Sequence, residues 1–217
     1  MGLLDRLAPW RPDAEPGVAP SAVAASDPVF ATKALRKFVT SLTSRESPIL
    51  LDLGPVVGSN VSFFGEQLGC KIFVENIFAD LDRHTKEGKL EALPEFLTKR
   101  FPQADATFDG VLCWDVIDYL DRASATELAS QMTRVLRPAG ALLGFFASGP
   151  VRDTRYTKYI IVDELNLKHR SYPATRGRNA SLPNRDIIRM FPTLRVSDSF
   201  LLQNNLREIL FRKPAGS

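Results

Sequence analysis

The amino-acid sequence predicts an α/β fold: a mostly parallel sheet with helices on both faces, closed by an antiparallel hairpin at the C-terminus. Three observations predict it. Short apolar runs alternate with helical patterns from Pro48 onward, a glycine-bearing loop follows the first of these runs, and two β-rich segments joined through Gln203-Asn204-Asn205 end the chain. With 217 residues, 44% hydrophobic and 24% charged, the chain has the length for one domain with a sizeable core and the make-up of a soluble globular protein.

Residues 1–26 read as a flexible lead-in. Leu3, Leu4 and Leu7 fall on one face of a turn or two, and Pro9, Pro12, Pro16 and Pro20 forbid a continuing helix. The expected domain spans 27–217. Asp27 as N-cap, with Pro28 in the first turn, opens a helix carrying Phe30, Leu35, Phe38, Val39 and Leu42. Pro48 to Leu53, stopped by Gly54 and Pro55, suits a buried parallel strand. A helix from Val61 to Leu68, a second buried strand from Lys71 to Glu75 and a helix from Asn76 to about Gly88 follow, and a third strand falls at Glu95 to Phe101.

Phe108 to Trp114 is a much clearer strand than Glu95 to Phe101. The helix from Asp121 to Leu136 turns Leu128, Met132 and Val135 inward, Pro138-Ala-Gly140 ends it, and Ala141 to Phe146 makes a fifth strand. Leu194 to Leu202 and Arg207 to Arg212 form the closing hairpin, because an Asn-containing turn tolerates the left-handed backbone.

Chemistry concentrates where the first strand ends. Asp52-Leu-Gly-Pro-Val-Val-Gly58 precedes a helix, and open α/β sheets place ligands there because loop amides and a helix N-terminus face the crevice beyond the strand ends. Gly54 allows a sharp turn without a Cβ, Gly58 a close meeting of loop and helix, and Ser59 or Asn60 a cap for that helix. Glu75 ends the second strand about twenty residues later, where a carboxylate accepts the hydroxyl hydrogen bonds of an adenosine ribose. The pair fits NAD as well as S-adenosylmethionine; a plain strand-to-helix turn and a solvated carboxylate are the structural alternatives.

Other features bound the function. No apolar run approaches the roughly 20 residues of a membrane span, and no signal-peptide pattern opens the chain, so a cytoplasmic location is expected. Cys70 and Cys113 lie in apolar stretches, as buried thiols of a reducing compartment do. His84 and His169 lack metal-like spacing, so no metal is assigned. A net charge of +3 is too small to imply nucleic acid. Residues 151–190 form a basic segment, with Arg155, Lys158, Lys168, Arg170, Arg176, Arg178, Arg185 and Arg189 among its cations. It suits either a solvated face or the substrate side of the crevice, where an acceptor bearing a carboxylate or phosphate would fit. Tyr156, Tyr159, Tyr172 and Phe191 either stack on a planar acceptor or pack the segment itself.

Leu51-Asp-Leu-Gly-Pro-Val-Val-Gly58, Phe108-Asp-Gly-Val-Leu-Cys-Trp-Asp-Val-Ile-Asp-Tyr-Leu120 and Arg134-Val-Leu-Arg-Pro-Ala-Gly140 resemble the first motif, the fourth-strand segment and the stretch before strand five of class I S-adenosylmethionine-dependent methyltransferases. The resemblance runs from about Pro48 to Phe146. It implies a Rossmann-like methyltransferase fold, a seven-stranded sheet in the order 3-2-1-4-5-7-6 with strand seven antiparallel. By it, Asp52, Gly54 and Gly58 surround the methionine end of the cofactor and Glu75 holds the ribose, with Pro55 and Asn76 joining the cofactor-binding set. Trp114 and Asp115 border the site of transfer, Asp115 standing as catalytic base or as a helix-capping residue.

Three positions depart from the family: Val56 replaces the central glycine of the first motif, Ala139 replaces a glycine before strand five, and no acid follows strand three unless it is Asp105. Asp115-Val-Ile-Asp118 is not the motif of enzymes that methylate the amino groups of DNA bases or glutamine, so a nucleic-acid base is not the expected acceptor. The expected activity is methyl transfer from S-adenosylmethionine to a small or medium acceptor. The alternatives are a noncatalytic relative that holds a protein partner through the N-terminal tail or the basic segment and, behind it, a nicotinamide oxidoreductase.

Overall fold

A computed structural model describes residues 27–149, 155–179, 181–202 and 204–216. The expected lead-in and its partner-binding role fall on residues 1–26, outside the described residues, as do Val151 to Thr154 of the basic segment. Among the described residues no helix is long and apolar enough to cross a membrane.

The central sheet contains β2 (Ile49–Asp52), β3 (Lys71–Val74), β4 (Phe108–Trp114), β5 (Leu136–Ala147), β8 (Arg195–Leu201) and β9 (Leu206–Arg212). Their spatial order is β3-β2-β4-β5-β9-β8. The first four run parallel, β9 is antiparallel to β5, and β8 is antiparallel to β9. Successive residues of β2 point to opposite faces and both faces are covered, so Ile49, Leu50 and Leu51 are all apolar and only the last residue, Asp52, is not. Leu51 joins Val111, Phe146 and the helices α3 (Ile77–Lys86), α4 (Leu93–Arg100), α5 (Arg122–Val135) and α6 (Asn184–Met190). Leu50 joins Leu112, Phe145 and α1 (Leu35–Thr43) on the other face. Gly110 lets α1 approach β4: a Cβ there would lie 2.7 Å from Leu42 Cδ2 and 2.9 Å from Phe38 Cζ.

A smaller sheet, order β1-β7-β6, comprises β1 (Val29–Ala31), β6 (Arg155–Asp163) and β7 (Asn166–Pro173). It buries Tyr159, Ile161 and Leu167 in the core that contains α1. Part of the basic segment is therefore an antiparallel hairpin packed on that core, while Arg155, Arg170, Arg185 and Arg189 stay exposed.

Three sequence expectations are corrected. The sheet has six strands among the described residues, not seven, because Glu95 to Phe101 lies in and just after α4. Pro94 sits in its first turn, and Leu93 and Leu97, four residues apart, bury one helical face. The missing strand leaves β3 as a sheet edge, partly exposed rather than buried. Asp27-Pro28 opens strand β1, not a helix: Pro28 O accepts the His169 amide at 2.9 Å and Asp27 pairs with Arg170 at 2.7 Å. Finally, Pro138 to Gly140 lies inside β5, with Ala139 in the left-handed region at φ 59°.

The real start of α1 is held by a distant residue. Glu208, fully buried on β9, accepts the amides of Lys33 at 2.8 Å and Ala34 at 3.0 Å through Oε2. These amides precede the first helical turn and have no partner inside the helix. Replacing Glu208 by alanine is expected to lower stability by about 1 to 3 kcal/mol by leaving both amides unpaired, that of Ala34 in a buried position. Urea unfolding monitored by circular dichroism checks this; an unchanged midpoint would contradict it.

Candidate functional site

The carboxyl ends of β2, β3 and β4 meet in one crevice, because β2 is hydrogen-bonded between the other two. Asp52, the last residue of β2, pairs in register with Val74 of β3 and Leu112 of β4. The carboxylate is buried, with Oδ1 accepting the Gly54 amide at 2.9 Å and the Trp114 indole Nε1–H at 2.6 Å. Burial pushes the carboxyl up to about 6, against the pull of these two donors.

Glu75 follows β3, and its amide donates to Asp52 O at 2.7 Å. Its carboxylate pairs through Oε2 with Arg100 at 2.6 Å, and Arg100 also holds Asp80 at 2.8 Å. Asn76 caps α3 by accepting the Ala79 amide at 3.2 Å. Gly58 opens α2 (Gly58–Ser62), with nothing within 4 Å of a Cβ added there. Neither Ser59 nor Asn60 caps that helix. Asn60 is buried and reaches β6, donating Nδ2–H to Tyr159 O at 2.8 Å and accepting the Ile161 amide at 2.8 Å.

Trp114 ends β4 at a register shift, with φ 49°, a left-handed conformation that a bulky side chain rarely adopts. Its indole lies over Gly54: a Cβ on that glycine would sit 2.7 Å from Cδ1 and 2.8 Å from Nε1. Tyr159 and Phe145 stack near-parallel with it, at centroid distances of 5.2 and 5.8 Å. Val56, the departure from the first motif, is 66% exposed. The residue packed against the glycine loop is Trp114.

Asp115 is fully buried and ion-paired with Arg178, whose Nε donates to Tyr119 Oη at 2.7 Å. Asp115 Oδ1 and the Tyr159 hydroxyl are buried near one another without closing a hydrogen bond of good geometry. Burial pushes the Asp115 carboxyl up, opposed by Arg178. Asp118 accepts the Ala147 amide at 2.8 Å and lies 3.9 Å from Arg178.

Residues 155–179 cross the crevice and fasten at each side. Asn60 holds β6 beside α2, Tyr156 Oη donates to Asp82 of α3 at 2.7 Å, and Thr175 bonds the same carboxylate. Beyond β4, Arg178 enters the Asp115 pair and the Asn179 side chain donates to Leu120 O at 2.6 Å. Sequence reasoning missed Asn60, Asp82, Arg100 and Arg178 as the residues that organise the site; the one signal for them was the length of the basic segment. Of its rings, Tyr156 packs on Phe78 and Tyr119, and Phe191 on Phe211. Asp105 is corrected as an adenine contact: it precedes β4, at the opposite end of that strand from the crevice, and pairs with Arg134 at 2.8 Å. His84 is buried against Phe96, and the half-buried His169 packs edge-on against Tyr159.

The strand order, the glycine loop at the end of β2 and the acid after β3 define a Rossmann-like methyltransferase domain. Residues 51–144 match the family model described as a methyltransferase domain. No curated protein matches the chain significantly in sequence. Among solved structures, the [4+2]-cyclase SpnF is 13% identical, with 84% of this chain and 80% of that one covered and a TM-score of 0.52. An O-methyltransferase family protein from Burkholderia thailandensis is 13% identical, with 85% and 56% covered and a TM-score of 0.51. The 1,6-didemethyltoxoflavin-N1-methyltransferase of the same organism is 14% identical, with 83% and 78% covered and a TM-score of 0.49. At these identities the likeness is one of fold, and a cyclase beside a methyltransferase shows that fold alone does not name the reaction.

Burial also sets a pH dependence. Asp118 is pushed up to about 7 by burial, with Arg178 opposing and Asp115 reinforcing the shift. An aspartate of the unfolded chain titrates near 4, so between roughly pH 4 and 7 the folded chain holds more protons and loses stability as pH rises. Wild type is expected to show a lower urea midpoint at about pH 8 than at about pH 5. Asp118→Asn, which keeps an acceptor for Ala147, should shrink that difference by on the order of 1 kcal/mol; an undiminished difference would contradict the assignment.

Proposed function

We propose that the chain transfers the methyl group of S-adenosylmethionine to a small acceptor. The observation that carries this reading is the pair of carboxylates, Asp52 and Glu75, at the ends of adjacent parallel strands with the glycine loop beside them. The donor set fits the cofactor in kind. Asp52 is the partner for its ammonium group, the Gly54 to Gly58 loop with Pro55 supplies close backbone, and Glu75 offers the ribose hydroxyls the oxygen that Arg100 does not hold. Asn76 shapes the turn beside Glu75 by capping α3. The space over Gly54 is the exception, since the Trp114 indole fills it and must move for the methionine end to enter.

When bound, the cofactor supplies an already activated methyl group, so the chain has only to align an acceptor and exclude water. Residues 155–179 suit the exclusion of water because they roof the crevice. We place Asp115 as proton acceptor through Oδ1, Oδ2 being held by Arg178. Arg178, the most deeply buried cation of the basic segment among the described residues, already faces Asp115 and Asp118 and so does not favour an anionic acceptor. Cys70 and Cys113, free and buried, suit a cytoplasmic setting. The filled space over Gly54 favours one competing reading, a noncatalytic relative that binds no cofactor.

Calorimetric titration with S-adenosylhomocysteine separates the two readings. Saturable binding with a Kd below about 100 μM is expected, weakened roughly tenfold or more in Glu75→Ala with little change in thermal stability. The affinity should fall as pH is lowered through about 6, where Asp52 takes up a proton and loses the charge that holds an ammonium group. Absence of binding at millimolar ligand would favour the noncatalytic reading.

A further inference from the structure

We infer that Trp114 is a latch: its indole occupies the methionine end of the cofactor crevice and ties the overlying hairpin shut, so that cofactor binding and opening of the hairpin are one coupled motion. This rests on the cofactor reading proposed above and adds a conformational control to it.

Four observations converge on the indole. It fills the space beside Gly54, a position without a Cβ, at distances that no bound group could share. Its Nε1–H occupies Asp52 Oδ1, the same oxygen that accepts the Gly54 amide, so the indole satisfies in the closed state the carboxylate that an incoming ammonium group would seek. Its backbone sits at φ 49° beside a register shift, and a strained residue at the end of a central strand persists only where its surroundings enforce it. The enforcing contacts come from Phe145 of β5 and from the hairpin, through Tyr159 stacked on the indole at an interplanar angle of 2°.

The same tyrosine explains the coupling. Its carbonyl accepts a hydrogen bond from Asn60, and Asn60 stands in the helix that follows the glycine loop. Arg178, side chain 9% exposed, anchors the far side of the roof to Asp115, the residue after Trp114. Withdrawing the indole from Gly54 therefore breaks its stack with Tyr159 and disturbs the segment that holds Asp115. A ligand that displaces the indole thereby loosens the hairpin and opens the acceptor side. The cost of closure lowers apparent affinity by the fraction of molecules already open.

The test uses S-adenosylhomocysteine as probe and two readouts. Trp114→Phe keeps an aromatic ring for Phe145 and Tyr159 but removes the donor to Asp52, and is expected to tighten binding about tenfold by favouring the open state. Asn60→Ala, which leaves the indole intact and frees β6, should act in the same direction. The sequence holds two tryptophans, Trp10 and Trp114, so in a Trp10→Phe background fluorescence reports Trp114 alone. That chain needs no change in the latch. Trp114 emission should be shielded from acrylamide in the free protein and become accessible on saturation. Weaker binding by Trp114→Phe, or Trp114 emission in the Trp10→Phe chain that stays equally shielded at saturation, would overturn the latch and leave the cofactor reading standing. Absence of binding by the Trp10→Phe chain, Trp114→Phe and Asn60→Ala alike would overturn both.

Discussion

The hydrogen bond from the Trp114 indole to the buried Asp52 carboxylate is the interaction on which the arrangement of the crevice depends. It joins the ends of two neighbouring parallel strands, β2 and β4, across the opening where this fold takes its ligand. It also satisfies a carboxylate that burial would otherwise penalise. The hairpin over the crevice is positioned by the same indole, because Tyr159 stacks on it while Asn60 fixes the strand that carries Tyr159. A polar contact at the base of the crevice and an aromatic stack above it thus form one unit.

Electrostatics closes the other side. Arg178 is buried between Asp115 and Asp118 and donates to Tyr119, whose own hydroxyl bonds Arg155 O at 2.9 Å. A buried cation facing two carboxylates is stable only while each partner stays in place, since removal of one leaves an uncompensated charge. This geometry makes the roof specific in position without making it permanent, and it accounts for a basic segment whose deepest charge faces inward.

Much of the fold was legible in the sequence because its signals are local. The run around Leu50 and Leu51 is apolar on both faces, Asp121 caps α5 through the Ser124 amide at 2.9 Å, and Asn205 takes φ 56° in the closing turn as an asparagine turn allows. The errors fell where a distant partner decides. Asp27-Pro28 has the pattern of a helix start, yet pairing with β7 makes it an edge strand and Glu208, far along the chain, holds the start of the helix. Glu95 to Phe101 lies in and just after a helix rather than a strand, and Leu93 and Leu97 carry the helical spacing that shows it. In the site, Asp52 and Glu75 were visible as acids at strand ends. Asn60 and Arg178 were not visible as parts of it, because nothing local shows that a hairpin a hundred residues away folds back over the glycine loop. Val56, the departure from the first motif's central glycine, points outward, and the space beside Gly54 is filled instead by the Trp114 indole.

A crystal structure of the full chain grown with S-adenosylhomocysteine bears most directly on this arrangement. The ligand's ammonium group is expected against Asp52, with the indole withdrawn from Gly54 and the Tyr159 stack broken. Ligand in the crevice with the indole still hydrogen-bonded to Asp52 would contradict it.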